Sequence, residues 1–353
     1  MARYGICYMG SKNSIAEEIV NLLPKADNLY DMFCGGGAIT HCAITQNKYK
    51  DYYMNDLKQG MADFFLDCVK GKYRDEKRWI SREEFMKSFK TDNYISCVWS
   101  FGNKGFTYIY GKEVEPFKKA LHYAILFNDM TLIKQCGYDL AKCDIPLDEI
   151  GKRRKWVIEY VRNLAKSSGD KKNEKVQLQS LQSLESLQRL ESLQRLQRLQ
   201  RLQSLERLQA LNEIKVRDKL VNRIHPSSLD YSQVEIKPNS VIYCDIPYEG
   251  TSSYLINTNE KLNRTANNFD YARFYSWACS QKELVVISSY EIIDDRFICV
   301  FEREKISLFN RHNKKQGKEK LVKMERLYIP KHQLNLWKKH NTKSTQLNLF
   351  DFI

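Results

Sequence analysis

The sequence predicts an α/β protein: a mostly parallel sheet with helices on both faces, interrupted by a mainly helical insert. Three observations carry this. Short apolar runs ending near an acid occur before residue 60 and again after 238, with helical periodicity between them. A glycine turn, Cys34-Gly35-Gly36-Gly37, joins the first run to a helix. From about 60 to 225 the strand pattern gives way to helical stretches rich in aromatic and basic residues. Strands alternating with helices belong to sheets covered on both sides.

The elements follow in order. Residues 14–23 place apolar side chains at helical spacing and stop at Pro24. Residues 28–33 (NLYDMF) read as a strand, 38–46 as a helix and 52–55 as a second strand, with Asp56 at its end. Helices are expected over 61–69, 83–89, 115–127 and 155–165. Strands return at 241–245, 284–289, 297–301 and 326–329, and a helix spans 271–279. The expected division is a sheet domain of 1–59 and 226–331, an insert of 60–225 and a flexible tail of 332–353. Within the insert, at 177–211, leucine recurs every third residue. A step of three turns a helix through about 300°, so such leucines spiral and build no single apolar face. A protruding helix or helical hairpin is expected there. It is either a neutral repeat expansion, or a length-variable spacer or an element for self-association of an otherwise monomeric protein.

Composition narrows the function classes. Of 353 residues, 42% are hydrophobic and 12% aromatic, which points to a globular chain. No apolar run approaches the roughly 20 residues of a membrane helix. The start, MARYGICYMGSK, lacks the apolar core of a signal peptide. Ten cysteines show no CxxC pair and no zinc spacing, so no metal site is expected and a reducing cytoplasm is. A net charge of +14 points to nucleic acid, because Lys and Arg neutralise phosphates and release counterions. The basic stretches 152–155 (KRRK) and 314–323 are candidate phosphate contacts or solvated faces. Lys152, Arg153 and Arg154 are the named candidates. In Trp99-Ser100-Phe101-Gly102-Asn103-Lys104-Gly105, Asn103 and Lys104 are placed to read base edges, unless the segment is an ordinary hairpin.

Two constellations suggest chemistry. Asp31-Met32-Phe33-Cys34-Gly35-Gly36-Gly37 ends a strand and opens a helix. Glycines let backbone approach a ligand, a helix N-terminus favours an anion, and an acid after the next strand accepts from ribose hydroxyls. That set fits a dinucleotide or S-adenosylmethionine, or a purely structural turn. The second constellation is the strand end in SVIYCDIPYEGTSSY, where Asp245-Ile246-Pro247-Tyr248 carries an acid, a proline and an aromatic ring.

These segments resemble, in order, the Dam-type adenine-N6 DNA methyltransferases of the α group, found in phage and bacteria. Tyr8-Met9-Gly10-Ser11-Lys12 looks like their aromatic-x-Gly-x-Lys motif, and residues 31–37 like D-x-F-x-G-x-G, with Gly36 at its tolerant position. Asn55-Asp56 looks like the acidic motif, and residues 245–248 like D-P-P-Y, with Ile246 replacing the first proline. Residues 287–290 (ISSY) and 325–329 (ERLYI) look like later strands, while Leu229-Asp230-Tyr231 is a looser match. The resemblance covers roughly 1–60 and 225–330 and implies a seven-stranded methyltransferase sheet, with target recognition in the insert.

By that resemblance S-adenosylmethionine is the cofactor and double-stranded DNA the substrate. Tyr8, Lys12, Asp31, Phe33, Gly35, Gly37, Asp56 and Asp245 would hold the cofactor, with Lys12 near its carboxylate. The adenine amino nitrogen is a poor nucleophile, its lone pair delocalised into the ring. A carboxylate (Asp245) and a carbonyl (Ile246) can accept its hydrogens, and Tyr248 can stack on the flipped base. Ile246 keeps the carbonyl, and Pro247 still biases it to extended geometry. The site is therefore expected to be active. The alternatives are an RNA or protein-glutamine methyltransferase, or a catalytically silent DNA-binding protein. Near the end, Gln346, Leu347, Asn348, Leu349 and Phe350 resemble the pentapeptide that docks on the replication sliding clamp, and QLNLW at 333–337 is a second near-match.

Overall fold

Seven strands build one sheet in the order β3-β2-β1-β4-β7-β9-β8. They are β1 (Asn28–Asp31), β2 (Asp51–Asn55), β3 (Ile224–Ser227), β4 (Ser240–Cys244), β7 (Leu284–Ser289), β8 (Phe297–Ile306) and β9 (Val322–Pro330). A separate hairpin pairs β5 (Leu255–Thr258) with β6 (Lys261–Arg264). This computed structural model describes residues 4–169, 218–248, 255–258, 261–264, 269–306 and 322–341. The leucine-rich run, most of the basic stretch 314–323, the 249–254 continuation of the tetrapeptide and the pentapeptide at 346–350 lie outside the described residues.

The pairs β3-β2, β2-β1, β1-β4 and β4-β7 are parallel, and β7-β9 and β9-β8 antiparallel. Strand order therefore runs one way from β1 and the other way from β4. In an open parallel sheet, such a reversal leaves a crevice at the carboxyl ends of the two strands. Every residue of β1, β4 and β7 is buried, which explains their apolar runs without alternation. On one face a core gathers Tyr30, Ile242, Cys244, Ile246, Val285, Ile287 and Phe274 of the helix Tyr271–Ser280. Asp270 caps that helix, its side chain accepting from Arg273 N.

The chain divides into two compact units, 1–74 with 205–353, and 75–204. The first boundary falls after the helix α3 (Met61–Val69) rather than at 60, because α3 belongs with the sheet. Its Phe65 ring lies 2.6 Å from where a Cβ on Gly37 would stand. The sequence reading also left β3 unassigned: Ile224–Ser227 is short and contains a proline. At the edge of the sheet the proline is tolerated, and only Ile224 is buried.

The second unit is helical, with Arg82–Ser88, Asn93–Val98, Glu115–Phe127, Thr131–Gln135 and Ile150–Gly169. Ser81 and Asp92 cap the first two through side-chain acceptance from Glu84 N and Ile95 N. Its core joins Ala120, Leu121, Ala124, Ile133, Leu140 and Val157. The loop at 99–110 closes through one antiparallel bridge, Ser100 to Tyr108, the hairpin-like alternative of the sequence reading.

Candidate active site

At the carboxyl ends of β1 and β4 lies a cavity of about 560 Å³. That is within the range of small-molecule sites. Its wall includes Tyr8, Lys12, Asp31, Phe33, Gly35, Asp56, Asp245, Ile246, Pro247 and Tyr248. Nearly all residues singled out for a cofactor or for chemistry thus meet in one crevice. Parallel register brings them there: Asp31 pairs with Tyr243 across β1 and β4, two residues before Asp245.

The N-terminal segment forms the lid of the glycine turn. Ile6 N donates to Gly36 O at 2.6 Å, and Gly5 N donates to His41 Nδ1 at 2.8 Å. His41 is buried, and burial drops its pKa to about 4, so the ring stays a neutral acceptor. Tyr8 packs on Gly35, whose φ is +47° and where a Cβ would stand 2.9 Å from the ring. Gly36 is not a tolerant position here: a Cβ would meet Ile6 O at 2.5 Å. Gly37 lies outside the cavity wall, and serves the packing of α3 and Met54 instead of a ligand.

The acids have distinct surroundings. Asp31 Oδ2 accepts from Thr40 Oγ1 at 2.8 Å; burial lifts its pKa to about 7, with the charges of Asp245 and Asp56 adding to the rise. Asp56 accepts from Gly35 N at 2.8 Å and Lys58 N at 2.9 Å. Burial raises its pKa, and those two bonds oppose the rise. Asn55, behind it, donates to Met32 O and Leu229 O and accepts from Leu229 N and Ser227 Oγ. It stitches β1, β3 and the Leu229-Asp230-Tyr231 stretch together. That stretch lines the cavity, where Arg273 bonds Asp230 at 2.9 Å and covers the Tyr231 ring. Sequence reading matched Asn55 only as the neighbour of Asp56 in the acidic motif and gave it no role, and it passed over Arg273, which belongs to no short motif.

Around the tetrapeptide, Lys12 Nζ donates to Asp245 Oδ1 at 2.5 Å, lies 3.6 Å from Glu325 Oε1 and stands 4.6 Å from the Tyr248 ring centroid. Lys12 was expected at a cofactor carboxylate; its ammonium instead faces two protein carboxylates. The Tyr248 ring is only 8% exposed, where an open stacking face was expected. Its hydroxyl donates to Glu325, Ser288 Oγ lies 3.2 Å away, and Tyr290 packs edge-on at 4.4 Å. Burial and the charges of Asp245 and Glu325 hold that hydroxyl well above the usual phenol range. Glu325 is 1% exposed. Its signal in the sequence was a carboxylate in the same alternating register as the inward-facing Leu327 and Ile329. Ile246 is buried in the apolar core and Pro247 O accepts from Tyr271 OH at 2.9 Å. Packing and that bond fix the backbone where a proline would otherwise stiffen it.

The expected nucleic-acid contacts separate. Lys104 is exposed, whereas the Asn103 amide donates to Cys97 O at 2.9 Å and holds the turn. Lys152 is exposed and pairs with Glu149; Arg154 is half-buried. Arg153 is fully buried and donates to the carbonyls of Ala124, Ile125 and Ile145, which corrects its assignment to DNA. The near-match QLNLW is also used by the fold. Gln333 accepts from Val285 N and donates to Gln281 O and Glu283 O, and Trp337 is buried. Among the described residues, no helix is long and apolar enough to cross a membrane.

Residues 8–120 match the family model described as the D12 class N6 adenine-specific DNA methyltransferase. The match takes in the Tyr8–Lys12 segment, the glycine turn and Asp56, and runs on into the second unit. No curated protein matches the chain.

Proposed function

On the premise of the match between residues 8–120 and the D12 class N6 adenine-specific DNA methyltransferase model, we propose that this chain methylates a flipped-out adenine at the crevice between β1 and β4, with S-adenosylmethionine as donor. The observation that carries this reading is the strand-end group of Asp245, Ile246 and Tyr248 opening on the same cavity as the glycine turn and Asp56. The cavity fits such a donor in its chemistry. Tyr8, Phe33 and Tyr231 offer flat apolar walls, Asp56 a carboxylate for hydroxyl groups, and Gly35 a close backbone approach. Bound there, the donor supplies a methyl group on a cationic sulfur. Asp245 and the Ile246 carbonyl accept the two amino hydrogens and turn the nitrogen lone pair toward the cavity. Tyr248 gives the base a face, and the buried walls exclude water.

The second unit is proposed to read the target sequence, with Lys104, Lys152 and Arg154 as phosphate contacts. All ten cysteines lie among the described residues as thiols, which supports a reducing, cytoplasmic setting. Since the fold consumes 333–337, a sliding-clamp contact would fall to Gln346–Phe350 alone; equal clamp recovery with and without those residues would remove it. Long-read sequencing of DNA from cells expressing the chain tests the main proposal. Methylated adenines in one sequence context are expected, and their loss in Asp245→Ala. Unmodified DNA from the intact chain would overturn it.

A further inference from the structure

Lys12 occupies the place that the proposed chemistry reserves for adenine. Its ammonium is on the carboxylate that must accept the amino hydrogens, 2.5 Å from Asp245 Oδ1. It also lies over the ring on which the base must stack, 4.6 Å from the Tyr248 centroid. An ammonium has three donors, and a buried one is costly unless carboxylates stay within reach. If adenine takes Asp245, Lys12 needs another acceptor. One is already built. Glu325 Oε1 is 3.6 Å from Lys12 Nζ, and the same oxygen accepts from Ser288 Oγ at 2.9 Å and from the Tyr248 hydroxyl.

We propose that Glu325 is a positioning residue that receives the Lys12 ammonium when adenine enters, so that Asp245 is released for the substrate. This rests on the reading of 245–248 as the adenine site. No proton changes owner: Lys12 stays an ammonium and exchanges one carboxylate for another. In the free enzyme Lys12 guards Asp245 and the Tyr248 ring. In the loaded enzyme the Lys12–Glu325 pair forms the floor beneath the base. Anchoring by Ser288 and Tyr248 keeps Glu325 from following Lys12 back.

Replacing Glu325 with glutamine removes the second charge and leaves Lys12 on Asp245. Three readouts follow. The kcat for methylation falls about 10-fold or more, while KM for S-adenosylmethionine changes less than about 3-fold. The acidic limb of the kcat profile moves to lower pH, because an undivided Lys12 favours the ionised form of Asp245 more strongly. The groups facing that carboxylate are Lys12 from the N-terminal segment, Tyr243, Cys244 and Tyr248 around the end of β4, Tyr290 after β7, Glu325 on β9 and Asp31 at the end of β1. Of these, the substitution changes only Glu325 in charge. A merely structural role would lower activity without moving that limb.

Asp245→Asn separates the two levels of argument. If it stays active, the adenine-site reading itself fails. If it is inactive while Glu325→Gln keeps both kcat and the pH limb of the intact enzyme, only the role of Glu325 is overturned. Should Glu325→Gln not fold, the unaltered enzyme carries the test in a crystal with S-adenosylhomocysteine and a duplex bearing its methylation site. Lys12 Nζ within hydrogen-bonding distance of Glu325 and away from Asp245 supports the proposal. An ammonium still on Asp245 beside a flipped adenine overturns it.

Discussion

Each unit of the molecule has buried basic side chains, and one from each, Arg153 and Lys12, are satisfied in opposite ways. Arg153, in the helical unit, gives its guanidinium to three backbone carbonyls and meets no carboxylate in those bonds. Lys12, in the sheet unit, is 4% exposed and faces two carboxylates, one of them at a strand end on a cavity. Carbonyls have no second protonation state and no other business, so the arginine is a fixed brace. A lysine between two acids on a cavity wall has a choice of partners. The sequence reading set Lys12 at a cofactor carboxylate and Arg153 at phosphate; their surroundings give the two cations opposite meanings.

The largest effect expected is on the sheet side. Asp245→Asn should lower the methylation rate by about a thousandfold, the scale for a positioned acid-base group, with little change in thermal unfolding; isotope transfer to DNA measures it. On the helical side Arg153→Ala should act through stability alone. Orphaning three carbonyls at about 1–3 kcal/mol each should cost at least about 3 kcal/mol in denaturant unfolding. Lys152→Ala, its exposed neighbour, should stay within about 0.5 kcal/mol. An Arg153→Ala protein of native stability would erase the contrast between the two cations.

Smaller changes sharpen the sheet side. Gly36→Ala pushes a Cβ toward Ile6 O and should cost about 1–3 kcal/mol, together with weaker cofactor binding by calorimetry. Asp31 gives a pH signature. Its folded pKa of about 7 lies above the model-peptide value of 3.8. Its protonated form therefore contributes stability fully present below about 3.8 and lost as pH rises through about 7. In Asp31→Asn that part of the decline in melting temperature should vanish. Least affected should be Ile246→Pro. The carbonyl survives and a buried side chain shrinks, so the rate should stay within about threefold and stability fall by about 1 kcal/mol.

Motifs at strand ends were readable because register forces them together. Once β1 and β4 are parallel neighbours, Asp31, Gly35, Asp56 and Asp245 must share one edge. The apolar runs of β1, β4 and β7 made that sheet visible, and the family match over residues 8–120, which takes in β1 and β2, is consistent with it. What escaped was of a different kind. Asn55, Glu325, Gly36 and Gly37 all stood in matched motifs, but their roles did not: Asn55 and Glu325 act through groups far away in sequence, and Gly36 and Gly37 are required by a neighbouring segment and helix. The KRRK cluster misled because four adjacent basic residues on a helix point in different directions, and one of them points inward.

The pairing of Lys12 with Asp245, 233 residues later, has a consequence for biosynthesis. β1 and β2 leave the ribosome early, but β4, the inner neighbour of β1, follows only after the whole helical unit. The first half of the sheet must wait with one side of β1 bare, while 75–204 has its own core and can fold as it emerges. The nascent enzyme thus acquires its helical unit before it can assemble a crevice. A truncated product ending anywhere before β4 lacks Asp245 and the β4 wall of the crevice.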